Sequence, residues 1–179
     1  MPEGRDITES KRAEKRLRES EERYRTLFDG VPVGLYRTTP TGQVVDANLA
    51  AVQMSGFSTK EALLTSNTAS LYVNPEGRAQ WKALMEREGV VRDFEYQLRQ
   101  PGGQIVWISD TARTVRDELG QVLYYEGSLE DITKRKRLEA ESRRQKDYFE
   151  ALFVNSPVAV VTADLDGKIV SWNPMAEKL

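Results

Sequence analysis

The amino-acid sequence predicts an α+β fold in which strands are packed on one side by short helices. Apolar and polar residues alternate through residues 91–99 and 121–130, the two-residue period of a half-buried strand. Around these runs lie segments with helical spacing, bounded by Ser, Thr, Asn, Pro and Gly. The tripeptide Asp6-Ile7-Thr8 returns 125 residues on as Asp131-Ile132-Thr133 (131 − 6 = 125), so one whole unit lies between the two copies.

Residues 8–28 read as a helix that Asp6 or Thr8 can cap, because a short side-chain oxygen accepts from a free backbone N–H. Glu14/Arg18, Glu19/Arg23 and Glu21/Arg25 are pairs one turn apart. Leu17, Tyr24 and Phe28 form a narrow apolar seam, which suits either a solvated connector or a short dimeric coiled coil. Pro32 ends the run. Residues 33–38 and the stretch from Val44 make a hairpin around Thr39-Pro40-Thr41-Gly42. Asn48 is placed to cap a helix over 49–55. Ser58 or Thr59 caps Lys60–Leu64, and residues 65–74 carry no clear period.

Pro75–Glu88 is a helix with Pro in its first turn and Gly89 after its end; Trp81, Leu84 and Met85 share a face. Three strands follow. The first shows Phe94, Tyr96 and Leu98 alternating with polar residues. Ile105-Val106-Trp107-Ile108 is apolar on both faces, so both sides need a cover, and the outer face is expected near Val106 and Ile108. The last has Leu123, Tyr125 and Leu129 on one side. Asp131 or Thr133 then caps a second connector helix over 134–152.

Comparing residues 6–54 with 131–179 without gaps gives 15 identities in 49 positions, including Leu27-Phe28 with Leu152-Phe153, Pro32-Val33 with Pro157-Val158, and Asn48 with Asn173. Chance similarity of charged helices does not extend through such positions. The expected organisation is the tail of a preceding unit at 1–8, a connector helix at 9–28, a complete domain at 25–133, a connector helix at 134–152, and the start of a second domain at 153–179. A piece of a longer tandem array is the economical explanation.

The chain has no cysteine and no histidine. That excludes disulfides, thiolate nucleophiles, thiol-linked chromophores, imidazole metal or haem ligands and phosphohistidine. No nucleophile–base pair is evident, so no enzyme activity is expected within the chain. The net charge of −2 gives no reason to expect nucleic acid, and Lys134-Arg135-Lys136-Arg137 sits in a mixed-charge helix. No apolar run suits a membrane span or a signal peptide, so a cytoplasmic location is expected.

The order of elements and their punctuation resembles the PAS sensory domain, with the PAC motif (the S-box pair) in its C-terminal part. The matching residues run from Tyr24-Arg25-Thr26-Leu27-Phe28 and Pro32-Val33-Gly34-Leu35 through Gly42, Val44-Val45-Asp46-Ala47-Asn48 and Gly56-Phe57-Ser58. Phe94-Glu95-Tyr96, Gly102-Gly103, Trp107, Gly120 and Gly127 then precede Asp131-Ile132-Thr133. The resemblance implies a five-stranded antiparallel sheet of order 2-1-5-4-3 with flanking helices. It implies a sensory role in a prokaryotic signalling protein, upstream of a histidine kinase or of a diguanylate cyclase or phosphodiesterase. Flavin photosensors of the family need a reactive Cys and its haem sensors mostly a His, so the cofactor is unknown, or none. Noncovalent flavin, or haem held by Met or Tyr, remains as a minor alternative.

Ligand pockets are mostly apolar with a few polar anchors. Met54, Trp81, Phe94, Tyr96 and Trp107 are the candidates to line one, although aromatic residues at such spacings usually fill a core. Glu95 lies on the opposite parity from Phe94 and Tyr96, which suits a surface position. Asn48, Asp131, Ile132 and Thr133 are the candidates for capping and relay, passing a ligand- or partner-induced shift of the last strand into the connector helix. The alternative is a ligand-free dimerisation and spacer module. Expected partners are a second copy through the connector helices, adjacent domains of the parent chain and a small-molecule ligand.

Overall fold

The computed structural model of the protein describes residues 3–178, with side chains from residue 11 up to that limit. It divides into two units, Met1–Thr133 and Lys134–Leu179.

The first unit opens on α1 (Glu3–Gly30). This helix begins before the expected start at residue 8: no proline interrupts it, and Asp6-Ile7-Thr8 lies inside it instead of ending a strand. The proposed capping side chains of Asp6 and Thr8 lie outside the described ones. Lys15–Glu19 and Arg18–Glu22 pair one turn apart on its exposed surface.

The hairpin β1 (Gly34–Thr38) and β2 (Val44–Ala47) follows, then α2 (Leu49–Met54) and α3 (Lys60–Leu64). A 3-10 turn occupies Thr68–Leu71 in the stretch that shows no sequence period, and Asn67 caps it by accepting from Ala69 N. Next come α4 (Pro75–Glu88) and three long strands, β3 (Val90–Arg99), β4 (Ile105–Arg116) and β5 (Val122–Asp131). Gly89 takes φ +72 at the end of α4, a conformation glycine adopts without a Cβ penalty.

The five strands form one antiparallel sheet of order β2-β1-β5-β4-β3. β3 carries a bulge between Val91 and Phe94, where Asp93 sits at φ 48 and its N–H donates to Thr111 Oγ1 at 3.1 Å. The helices cover one face. There Val106, Ile108, Asp110 and Ala112 of β4 are all buried, packed with residues such as Leu71, Leu98, Trp81, Met85 and Leu129. Val106 and Ile108 therefore face the core; the outward residues are Ile105, 41% exposed, and the half-buried Trp107. Leu123 does not join Tyr125 and Leu129 in the core but is half exposed, because the register shifts at the start of β5.

The second unit contains most of α5 (Thr133–Asn155) and a hairpin of β6 (Val161–Ala163) and β7 (Ile169–Trp172). Arg135 and Lys136 pair with Glu139, so part of the basic run belongs to a mixed-charge helix face.

Candidate functional site

Three features of the first unit bear on function: a polar latch, a small cavity and the junction where β5 passes into α5.

Asn48 is the latch. It is fully buried and caps α2, its Oδ1 accepting from Ala51 N at 2.9 Å. The same oxygen accepts from Leu35 N of β1 at 2.8 Å. Its amide nitrogen donates to Phe28 O of α1 at 2.8 Å and to Val33 O at 2.9 Å. One side chain thus satisfies four backbone groups on three segments, which fixes α1, β1 and α2 against one another.

The cavity lies between the helical layer and the core face of the sheet, with a volume of about 40 Å³. Its polar end is built around Asp110 of β4, whose two carboxylate oxygens accept from the Tyr36 hydroxyl at 2.9 and 3.0 Å. Tyr72 and Tyr96 stack beside it with ring centroids 4.2 Å apart. The Arg78 guanidinium lies 4.6 Å over the Trp81 ring and 5.8 Å over that of Tyr72, distances at which a cation is held by the ring faces. The buried Trp81 indole N–H makes no hydrogen bond of full geometry, though it lies near enough to Asp110 to favour its charged form. The other end is apolar, walled by Val44, Ala51, Leu63, Leu71, Leu98 and Leu129.

Burial dominates the electrostatics. It raises Asp110 from the usual carboxylate range to about 7, against the opposing effects of the Tyr36 hydroxyl, Trp81 and Arg78. Burial, and then the neighbouring Asp110 charge, push the Tyr36 phenol well above its ordinary value. The Tyr96 phenol is raised first by burial and then by Tyr72. These hydroxyls remain protonated donors at any physiological pH.

Of the five residues expected to line a pocket, Trp81 and Tyr96 do so. Met54 and Phe94 instead pack against the core clusters without reaching the cavity. Trp107 faces away from it, because odd-numbered residues of this part of β4 point outward. Glu95 is exposed on that outer side. Asp110, Tyr36, Tyr72 and Arg78 carry no site expectation from sequence. For Asp110 the available signal is parity: an acid sits in the run Val106, Ile108, Asp110, Ala112, where every other member is apolar.

At the junction, Asp131 Oδ1 accepts from Thr133 N at 2.8 Å, closing a turn at the end of β5. Thr133 Oγ1 turns to the sheet and accepts from Trp107 N at 2.9 Å, while Ile132 N donates to Trp107 O at 2.9 Å. The buried Ile132 anchors the tripeptide in the core. The first residue of α5 is thus bonded to β4 as well as joined to β5.

On the outer face, Glu126 binds Arg37 at 3.1 Å and Arg113 at 2.6 Å. Hydrogen bonding from Arg113 is the main cause that lowers the Glu126 carboxyl. These residues border an open recess of about 520 Å³ that Tyr24 and Phe28 of α1 also line.

Sheet, helical layer and small polar-headed cavity together define an α+β module whose last strand leads into α5. A family model for the PAS fold matches residues 22–132, and a second PAS-domain model matches residues 147–179, so the chain belongs to the PAS domain family. It is 33% identical over 140 residues to the methyl sulfide methyltransferase-associated sensor of Methanosarcina acetivorans, covering 76% of this chain and 14% of that protein. Against sporulation kinase E of Bacillus subtilis it is 23% identical over 179 residues, covering 98% of this chain and 23% of that protein. The chain therefore spans less than a quarter of the length of these relatives. Among solved structures, a sensory box histidine kinase/response regulator from Burkholderia thailandensis matches at a TM-score of 0.55 and 22% identity, over 73% of this chain and 99% of that one. A PAS domain from Colwellia psychrerythraea matches at 0.55 and 24%, over 64% and 97%. These show the fold.

Proposed function

We propose that the first unit is a sensory PAS domain of a prokaryotic signal-transduction protein, with a histidine kinase as the effector in the full protein. The observation that carries this is the path from cavity to exit helix. Asp110 pairs across the sheet with Leu129, Ile108 pairs with Asp131, and the next two residues bond to Trp107. A molecule that moves Asp110 thus acts on the strand pair that positions the start of α5. A signal is transmitted only if the ligand binds two packings of this junction with different affinity. The names of the relatives, a kinase and a sensor, support the same reading. No helix among the described residues is long and apolar enough to cross a membrane, which fits a cytoplasmic placement of these two units. A diguanylate cyclase or phosphodiesterase as effector is the alternative.

The decisive experiment is Asp131→Ala combined with Thr133→Ala in the full-length protein. It removes the turn and the tie to Trp107 and is expected to cost about 1–2 kcal/mol of domain stability. Output is expected to lose its dependence on stimulus while the domain stays folded. Stimulus-dependent output that survives intact overturns the relay.

A ligand-free spacer and dimerisation unit is the second reading. The recess lined by Tyr24 and Phe28, with Leu17 largely exposed on the same helix, favours it. Mass spectrometry of the purified protein separates the two, since a co-purified small molecule supports the sensor. Sedimentation of Leu17→Asp tests the helix seam: an unchanged oligomeric state removes it.

A further inference from the structure

The two ends of the cavity specify different parts of a ligand. At the polar end, Asp110 receives among the described residues only the shared Tyr36 hydroxyl as a full hydrogen bond, although a carboxylate offers about four acceptor positions. Trp81 presents a buried N–H with no partner of full geometry. An acceptor with free positions and a donor that does not reach it in full geometry therefore lie close together in one chamber, and a poorly matched buried donor costs stability until something accepts from it. Above about pH 7, where Asp110 is ionised, it and Arg78 balance in formal charge, so a charged head would leave one charge uncompensated in a desolvated site. At the other end the wall is aliphatic, with Ala51, Leu63, Leu71 and Leu98. The volume of about 40 Å³ holds about three waters, the bulk of a molecule of about three or four non-hydrogen atoms.

We propose that this cavity binds a small uncharged molecule with a short aliphatic tail and a head, a primary amide or a hydroxyl, that donates to Asp110 and accepts from the Trp81 indole N–H. The proposal rests on the sensory reading above and names the chemical class that the sensor takes. Water in the chamber is the competing occupant, and a ligand must displace it while replacing both hydrogen bonds.

The test uses three probes with the same methyl tail and the same number of non-hydrogen atoms: acetamide, acetate and acetone. Each is titrated at pH 8 into the whole chain while the indole N–H resonances are followed by NMR, that of Trp81 being identified by its loss in Trp81→Phe. Acetamide is expected to move the Trp81 resonance and to bind about tenfold more tightly than the ketone, which cannot donate to Asp110. Acetate is expected to bind more weakly still. Trp81→Phe is expected to weaken the amide by about tenfold. If that variant does not fold, Asp110→Asn keeps the shape and is expected to relax the discrimination against acetate. A ketone or carboxylate that binds as well as the amide overturns the ligand class but leaves a sensory cavity. No response of Trp81 to any probe at millimolar concentration overturns the proposal and favours the spacer. An amide that binds without altering the α5 resonances leaves the ligand class standing and overturns the relay.

Discussion

The two hairpins of the chain are the same device in different surroundings. Asn173 repeats every bond of Asn48 at an offset of 125: its oxygen accepts from Val160 N at 2.9 Å and Ala176 N at 3.0 Å. Its nitrogen donates to Phe153 O at 3.1 Å and Val158 O at 2.9 Å. The pairing repeats as well. Tyr36↔Ala47 corresponds to Val161↔Trp172 and Thr38↔Val44 to Ala163↔Ile169, with the register shift at the same step. Both asparagines are fully buried, yet the apolar residues around them differ. Val44 is 5% exposed and its counterpart Ile169 is 53%; Ala47 is 0% and Trp172 is 53%. The latch and the hairpin register are thus the same in both units, while the apolar residues beside them are buried only in the first. In the first unit that burial comes from Ala51 and Val52 of α2 and Leu63 of α3, with Phe57 and Leu64 packed against them.

The largest expected effect lies in that contrast. Asn48→Ala leaves two N–H groups and two carbonyls without their partner, and is expected to destabilise the first unit by roughly 3 kcal/mol in chemical denaturation. Asn173→Ala removes the same four bonds from a hairpin with little core. It is expected to leave the main unfolding transition unchanged within about 0.5 kcal/mol and to show only as faster hydrogen exchange at Val160 and Ala176. Equal losses from the two substitutions break the comparison.

Asp110 sharpens it, because the polar cluster exists only where the full sheet forms. Between the ordinary carboxylate range and about pH 7 the folded chain holds a proton on Asp110 that the unfolded chain has lost. The folded state binds more protons in that window, so its stability falls as pH rises, and the deficit is complete above about 7. Asp110→Asn keeps an acceptor for the Tyr36 hydroxyl and removes the buried charge. It is expected to raise stability above pH 7 by about 2 kcal/mol and to flatten the dependence between pH 4 and 7. A variant less stable than the parent above pH 7 would show that the ionised carboxylate is a net stabilising member of the cluster.

What the sequence discloses follows the same division. Hairpins, caps and helix ends are legible because Asn48, Gly42, Pro75 and Gly89 act on their immediate neighbours, and the 125-residue repeat marks Gly42 and Asn48 twice. The cavity is only partly legible. Trp81 and Tyr96 belong to periodic segments, and their inward faces follow from the period. Trp107 fails the same parity rule that places Asp110 inside. Tyr72 and Arg78 are hidden for another reason: Tyr72 lies in the segment 65–74 that has no clear period, and its place is set by an isolated bridge to Leu98. Arg78 reaches the cavity over ring faces that no spacing rule connects. Long-range packing chooses these partners, so local pattern does not name them.

The finest test uses the two turns. Gly42 and Gly167 stand at φ +92 and +80, closing Thr39–Gly42 and Asp164–Gly167 with the same backbone bonds. A Cβ at Gly167 meets open space, so Gly167→Ala is expected to cost only the left-handed backbone, about 1 kcal/mol, felt in the hairpin alone. At Gly42 the added carbon would lie 2.7 Å from Asn67 Oδ1 and 3.1 Å from Thr68 Oγ1. Asn67 holds Thr41 O and Ala69 N, and Thr68 N donates to Gly42 O at 2.8 Å. Gly42→Ala is therefore expected to cost about 1 kcal/mol more than Gly167→Ala, because it also displaces the 3-10 turn that closes one side of the cavity. Thermal unfolding of the first unit measures the cost of Gly42→Ala, and hydrogen exchange at Asp164 N, which donates across the second turn, measures that of Gly167→Ala. Matching costs would mean that the 3-10 turn yields without loss, and that the hairpin is as independent of its surroundings in the first unit as in the second.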